Sequence, residues 1–380
     1  MREGTILTRR ECFALGGLLL SSSCRRKKGT GYAGYALIAT SGDNSLAVVD
    51  LTAFRLLRPI ALSAPASAVV TGGPEGRSYV VTPSTGSVHV VRALKRVSTH
   101  KLADQLSDAR LTMDGKRLLA TAAKSRELIE VDPRSLQVIR RQQLAAEPAA
   151  MDVASTPYVA ISTGEQGLVE LFDLTRGQRW RAQMSGKVGA VRFRGDGQLL
   201  LVANLHERSL IALSVPALDV IAELPLAMRP ENLCFNADQG QLFISGEGMD
   251  GVAIVFPYDI LEVEQTVLAG RDPGVMACSA SPAYLFVGGN SGSDVCILDI
   301  DTRKMIAIVD AGYQPTYITT TPDSQYALVL DQSAGVLAVI HVPVIRVDFK
   351  AVSGKSGASL FTMLTVGDKP VHLAVVGRDT

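Results

Sequence analysis

The sequence predicts an all-β protein, a β-propeller of four-stranded blades, and three observations carry that expectation. The first is residues 270–312, where four strand-length apolar runs (275–278, 284–287, 294–299 and 304–309) are separated by turn residues. Each run is rich in β-branched or aromatic residues and too short for a helix of ordinary length. Four strands in about 43 residues is the size of one propeller blade. The second is a recurring proline: Pro230, Pro273 and Pro315 lie 43 and 42 residues apart, and Pro65, Pro148 and Pro230 lie two such steps apart. Each stands just before an apolar run, and proline at the start of a strand costs no ladder hydrogen bond. The third is at the ends of the repeat: the unit starting at Tyr35 lacks an inner strand, and the chain ends on an unmatched one, Lys369-Pro-Val-His-Leu-Ala-Val-Val376.

Taken in order, residues 1–24 are expected to be an export signal. Arg9-Arg10 precedes a short apolar stretch and a cluster of serines, the composition of a basic region, an apolar core and a cleavage point. Thr8-Arg9-Arg10 with Phe13 resembles a twin-arginine signal, and Leu20-Ser-Ser-Ser-Cys24 resembles a lipoprotein cleavage box. In that reading Cys24 carries the lipid; the alternative is an ordinary small residue near a cleavage site. Residues 25–34, basic and then glycine-rich, read as a flexible linker. Residues 35–377 form the propeller domain.

Within each repeat the first strand runs into a hairpin turn, as in Pro74-Glu-Gly76, Met113-Asp-Gly115, Gly195-Asp-Gly197, Ala237-Asp-Gln-Gly240 and Pro322-Asp-Ser324. A second apolar strand follows, then a third that often ends in aspartate, then turns such as Asp132-Pro-Arg-Ser135 or Asp299-Ile-Asp-Thr302 into the fourth. Eight third strands can be counted, so eight blades are expected, with seven as the alternative. The last unit carries an insertion around residues 351–358. The C-terminal strand is expected to pair into the first blade and close the ring, which removes the exposed sheet edges. All of its side chains are expected to be largely buried between blades.

This pattern of proline, apolar strand, Pro-Asp-Gly turn, Val-x-Ile-Asp strand and Thr-led fourth strand resembles the YVTN-type β-propellers, a group that includes lactonase-like propellers. The resemblance covers nearly all of the chain after residue 34. It implies a propeller whose function lies at the channel mouth; some lactonase-like members hold calcium in the channel.

Composition excludes several classes. The 380 residues carry 38 basic and 37 acidic side chains, a net charge of +1, so no global field draws nucleic acid. One tryptophan leaves little stacking surface for bases. Beyond the N-terminus no run of 18 apolar residues occurs. The five cysteines, Cys12, Cys24, Cys234, Cys278 and Cys296, are too few for a disulfide scaffold. Cys234 and Cys278 fall on inner strands of adjacent blades and read as buried, inert thiols. No nucleophile elbow, phosphate loop, zinc-protease motif or haem-attachment motif is present.

A ligand site is therefore expected on the loops between blades and between second and third strands, at the channel mouth. The candidates are Arg229, Glu231, Asn232, Arg271, Asp272, Tyr317 and His372. Arg229 and Arg271, at similar positions of neighbouring repeats, could share an anion. Glu231, Asn232, Asp250 and Asp272 could offer oxygens to calcium, although no compact ligand spacing supports it. His372, at an inner-strand start, could face the channel or be a satisfied buried histidine; His206 beside Glu207 could be a base or a solvated loop residue. No cofactor and no catalytic set is expected. The protein reads as a monomeric, exported, non-catalytic scaffold in the periplasm or on the cell surface. Its partner is a protein or small molecule at the propeller face, and a lipid anchor to the membrane is an added expectation. A lactonase-like hydrolase is the alternative.

Overall fold

The computed structural model describes residues 31–258, 260–345 and 360–378. From Tyr32 onward the chain forms one compact unit. The expected export signal with Cys24, and the expected insertion around residues 351–358, lie outside the described residues.

The unit is an eight-bladed β-propeller of antiparallel sheets. Blades 2 to 8 are built from four consecutive strands each, with inner strands Ala68–Val70, Asp108–Leu111, Ala150–Val153, Val188–Phe193, Asn232–Phe235, Pro273–Cys278 and Pro315–Thr320. The repeat that is clearest in sequence is blade 7, with strands Pro273–Cys278, Tyr284–Gly289, Asp294–Asp299 and Lys304–Asp310. Blade 1 takes its inner strand from the other end of the chain: Pro370–Gly377 pairs antiparallel with Gly34–Thr40, from Gly34 opposite Gly377 to Thr40 opposite Pro370. The outer edge of blade 1 is two short segments, Arg55–Leu56 and Ile60–Ala61. Among the described residues there is no α-helix, only four single 3₁₀ turns, as expected of apolar runs too short and too closely punctuated for a helical period.

Packing follows from the alternation of side chains along each strand. Successive residues point to opposite faces, and both faces of every blade meet a neighbour. In blade 3, Leu118 and Ala120 pack with Tyr79 and Val81 of blade 2, whereas Leu119 packs with Val159 and Ile161 of blade 4. Eight buried apolar clusters result, one between each pair of adjacent blades. The cluster between blades 8 and 1 joins Leu373 near the chain end to Ile38 near its start. Aspartates set the turns: Asp132 and Asp173, at or just past the ends of third strands, each accept two backbone N–H groups through Oδ1 at 2.7–2.9 Å, and Asp114 and Asp196 accept one each in the hairpins after inner strands. These are the side-chain-to-backbone bonds that make aspartate a turn residue.

The closing strand departs from expectation in one respect. Pro370 and Leu373 are buried, but Val371, His372, Val375 and Val376 are only half-buried. Blades converge on the axis without filling it, so an inner strand turns part of its surface to the channel.

Deleting residues 369–380 removes this strand and exposes two sheet edges. Full burial of an aliphatic side chain is worth roughly 1.5–3 kcal/mol, and a strand's ladder is lost besides. The expected outcome is aggregated protein or a melting temperature lower by about 10 °C or more, whereas removing residues 379–380 alone leaves it unchanged. Calorimetry or scanning fluorimetry decides; equal melting of the longer truncation and the full chain would show that another segment closes the ring.

Candidate functional site: the axial channel

Inner strands carry polar residues where they meet the axis. Arg110 of blade 3, Asp152 of blade 4, Arg192 of blade 5 and Cys234 of blade 6 each lie two residues before the hairpin that follows the inner strand and so stand at one level around the ring. Two cavities occupy the channel. One, of about 410 Å³, is walled by the inner strands of blades 8, 1, 2 and 3 and lined by Asp108, Arg110, Tyr317, Thr319, Thr320 and His372 among others. The other, of about 360 Å³, is lined on blades 4 to 7 by Asp152, Arg192, Arg194, Cys234 and Met276. Met113, Ser155, Gly195 and Gln239 also line the second cavity. They lie in or beside the turns that follow inner strands, so this cavity reaches the face opposite the loops between blades.

The electrostatics of the channel are linked across blades. Arg110 Nε sits 3.2 Å from Asp108 Oδ2. Arg192 Nη1 lies 3.9 Å from Asp152 Oδ1, and Asp152 Oδ2 accepts the Phe193 N–H at 2.8 Å. Burial nevertheless holds the Asp152 carboxyl above its ordinary range, against the pull of Arg192 and, more weakly, Arg110. Burial also pushes the Tyr317 hydroxyl up. His372 is driven down to about 4, first by burial and then by the Arg110 charge. Its ring stands 4.6 Å from that of Tyr317 at a 43° tilt, and its Nδ1 accepts the Val69 N–H at 3.4 Å. His372 is therefore a neutral imidazole at pH 7, tying blade 1 to blades 8 and 2.

Of the residues singled out from sequence, Tyr317 and His372 come together in the channel. The others lie near the inter-blade loops. Arg229 is exposed and bridges Glu231 and Glu247, each at 2.8 Å. Asn232 is half-buried in its strand, opposite Ser245. Arg271 is exposed. The backbone N–H of Asp272 donates to Asp250 Oδ1 at 3.0 Å, and its Oδ2 accepts the Ser291 hydroxyl at 2.7 Å. Among the described residues no group of three or more His, Cys, Asp or Glu side chains could hold a metal ion. His206 is largely exposed, 3.9 Å from Glu207, in a turn where Asn204 Oδ1 accepts the N–H groups of both. Sequence reasoning passed over Asp108, Arg110, Asp152 and Arg192. Their signal was charge inside short apolar inner strands, recurring at the blade period.

No family model and no curated protein matches the chain. Solved structures do match, as β-propellers. The dihydro-heme d1 dehydrogenase NirN, in complex with DHE, has a TM-score of 0.72 at 15% identity over 91% of this chain and 76% of its own. Sqt1 of Saccharomyces cerevisiae has a TM-score of 0.65 at 9% identity over 83% and 93%. A functionally unknown protein from Desulfotomaculum acetoxidans has 0.59 at 12% over 74% and 96%. Identities this low establish the β-propeller fold, and the variety among these neighbours leaves the activity to be argued from the channel.

The neutral His372 has a consequence for stability. In the unfolded chain histidine titrates near 6.5, so between pH 6.5 and about 4 the unfolded state binds the additional proton. Stability at this group is complete above pH 6.5 and falls as the pH drops through that window, by up to about 3 kcal/mol. His372→Gln is expected to flatten the dependence of melting temperature on pH between 7 and 4; an unchanged slope would place the histidine's ordinary titration in the folded state.

Proposed function

We propose that this protein is a binding propeller that takes a flat, carboxylate-bearing small molecule in its axial channel. The observation that carries the reading is the pair of guanidinium groups, Arg110 and Arg192, at one level of the channel wall, with the Tyr317–His372 ring pair beside the first. Guanidinium groups match carboxylates in a two-pronged geometry, and the tilted rings offer a face for a planar body. A haem-type macrocycle is the first probe, because it combines a flat body with carboxylates and because NirN, similar in fold, carries a dihydro-heme d1 dehydrogenase name. A regular repeat without a convergent catalytic set supports the non-catalytic reading, whereas the YVTN-like resemblance, which takes in lactonase-like members, is what supports a hydrolase as the alternative.

The test is a spectroscopic titration with iron protoporphyrin and with its dimethyl ester, which lacks the carboxylates. The free acid is expected to bind more tightly than the ester. Arg110→Ala and Arg192→Ala should each weaken the acid by about 10- to 100-fold, the size of one charge-assisted hydrogen bond, and leave the ester nearly unchanged. Equal binding of acid and ester, or arginine variants without effect, would overturn the reading. Turnover of simple lactones that survives both arginine variants would favour a hydrolase instead.

The cell-envelope location rests on the composition of residues 1–24. In the source cell, Arg9→Lys with Arg10→Lys is expected to retain the protein in the cytoplasm, and Cys24→Ser to move it from the membrane to the soluble exported fraction. Fractionation identical to that of the parent chain for the first variant would refute twin-arginine export, and for the second would refute the lipid anchor.

A further inference from the structure

Two thiols face each other across the seam between blades 6 and 7. Cys234 is on the inner strand of blade 6 and lines the second cavity; Cys278 is on the inner strand of blade 7. Their Sγ atoms are 3.8 Å apart, and both residues are half-buried rather than sealed. Cys296, by contrast, is buried in the same interface.

We propose that Cys234 and Cys278 form a reversible dithiol–disulfide couple in the channel wall, with Cys234 the attacking sulfur and Cys278 the resolving one. Three features support it. The sulfurs are already in contact, and side-chain rotation can shorten the gap. Either thiol can donate to the other, but Cys234 is the one that lines the cavity; with Cys278 as donor the Cys234 thiolate is favoured and its pKa lowered, while that of Cys278 is raised well above the ordinary value. The Arg192 charge acts on Cys234 in the same direction. A thiolate within the field of a cation, half-buried on a cavity wall and next to a second thiol, is the arrangement of a reactive cysteine with its resolving partner.

The oxidant is a low-molecular-weight disulfide. The Cys234 thiolate attacks one of its sulfurs, the S–S bond breaks, and one reagent thiolate leaves and takes up a proton. Cys278 then loses its proton and attacks the Cys234 sulfur of the mixed disulfide, expelling the second reagent thiolate, which is protonated in turn. Two protein thiols lose two electrons and two protons, and one reagent disulfide becomes two thiols. The proposal does not depend on what ligand the channel holds.

The full chain is treated with 2-hydroxyethyl disulfide, small and uncharged, and digested without reduction. Mass spectrometry with fragmentation that separates Cys278 from Cys296 then locates the bonds. A Cys234–Cys278 crosslink is expected in the parent chain, with Cys296 still reduced, its thiol pushed up to about 11 by burial. Cys278→Ser should trap the mixed disulfide on Cys234. Cys234→Ser should leave Cys278 reacting at least about tenfold more slowly than Cys234 does in the other variant. Persistent mixed disulfides on both cysteines of the parent chain, or two thiols unreacted at full reagent, would overturn the couple. Faster reaction at Cys278 would overturn the assigned order. The first readout needs no variant, so a serine chain that failed to fold would not remove the test.

Discussion

Burial on both faces of every sheet is the constraint on which this structure depends. A blade whose two faces are both apolar cannot stand at an edge, because one face would then meet water. The eight interface clusters answer this by making every blade an interior one. Only a closed ring does so, and closure needs the last apolar strand to be laid beside the first. The pairing of Pro370–Gly377 with Gly34–Thr40 is therefore a condition for the other seven interfaces as much as a local contact.

The same geometry explains why chemistry collects on the axis. Blades fan outward from their inner strands, so side chains there cannot all find a neighbouring sheet. A polar residue at that point keeps some access to water and to polar groups on other blades, and burying it costs less than in a sheet interface. Around one level of the wall the order is Arg110, Asp152, Arg192, with Cys234 next. Charges of alternating sign at one level limit the repulsion that two arginines would otherwise impose. Burial still holds the Asp152 carboxyl above its ordinary range, against the 3.9 Å contact with Arg192.

The architecture was legible in the sequence because it is written once per blade. Proline at strand starts, aspartate at turns and alternating apolar runs each recur, and Asp132 and Asp173 make the turn bonds that their positions imply. Blade number and the closing strand followed from counting. The channel was less legible. Tyr317 and His372 could be placed by their position on inner strands, and they do meet. Arg110, Asp152 and Arg192 hold one position in three successive repeats, but the residue type changes from blade to blade, and a reading attentive to recurring residue types passes over them. Cys234 and Cys278 were visible as neighbours in adjacent blades. What sequence could not supply was their 3.8 Å approach and the partial exposure that separates them from the buried Cys296.

Closure and the channel are one problem in this molecule. His372 belongs to the strand that closes the ring, Tyr317 to the blade before it, and Val69, whose N–H reaches His372, to the blade after the first. The wall of the first cavity therefore draws on both ends of the domain and exists only when the ring is shut. A molecule that touches His372 in that cavity binds the closed ring and not a chain whose last strand has left it. Mass action then stabilises closure by an amount that grows with the logarithm of ligand concentration over its Kd. The strand that protects the sheet edges is in this way also the element through which an occupied channel would hold the whole ring together.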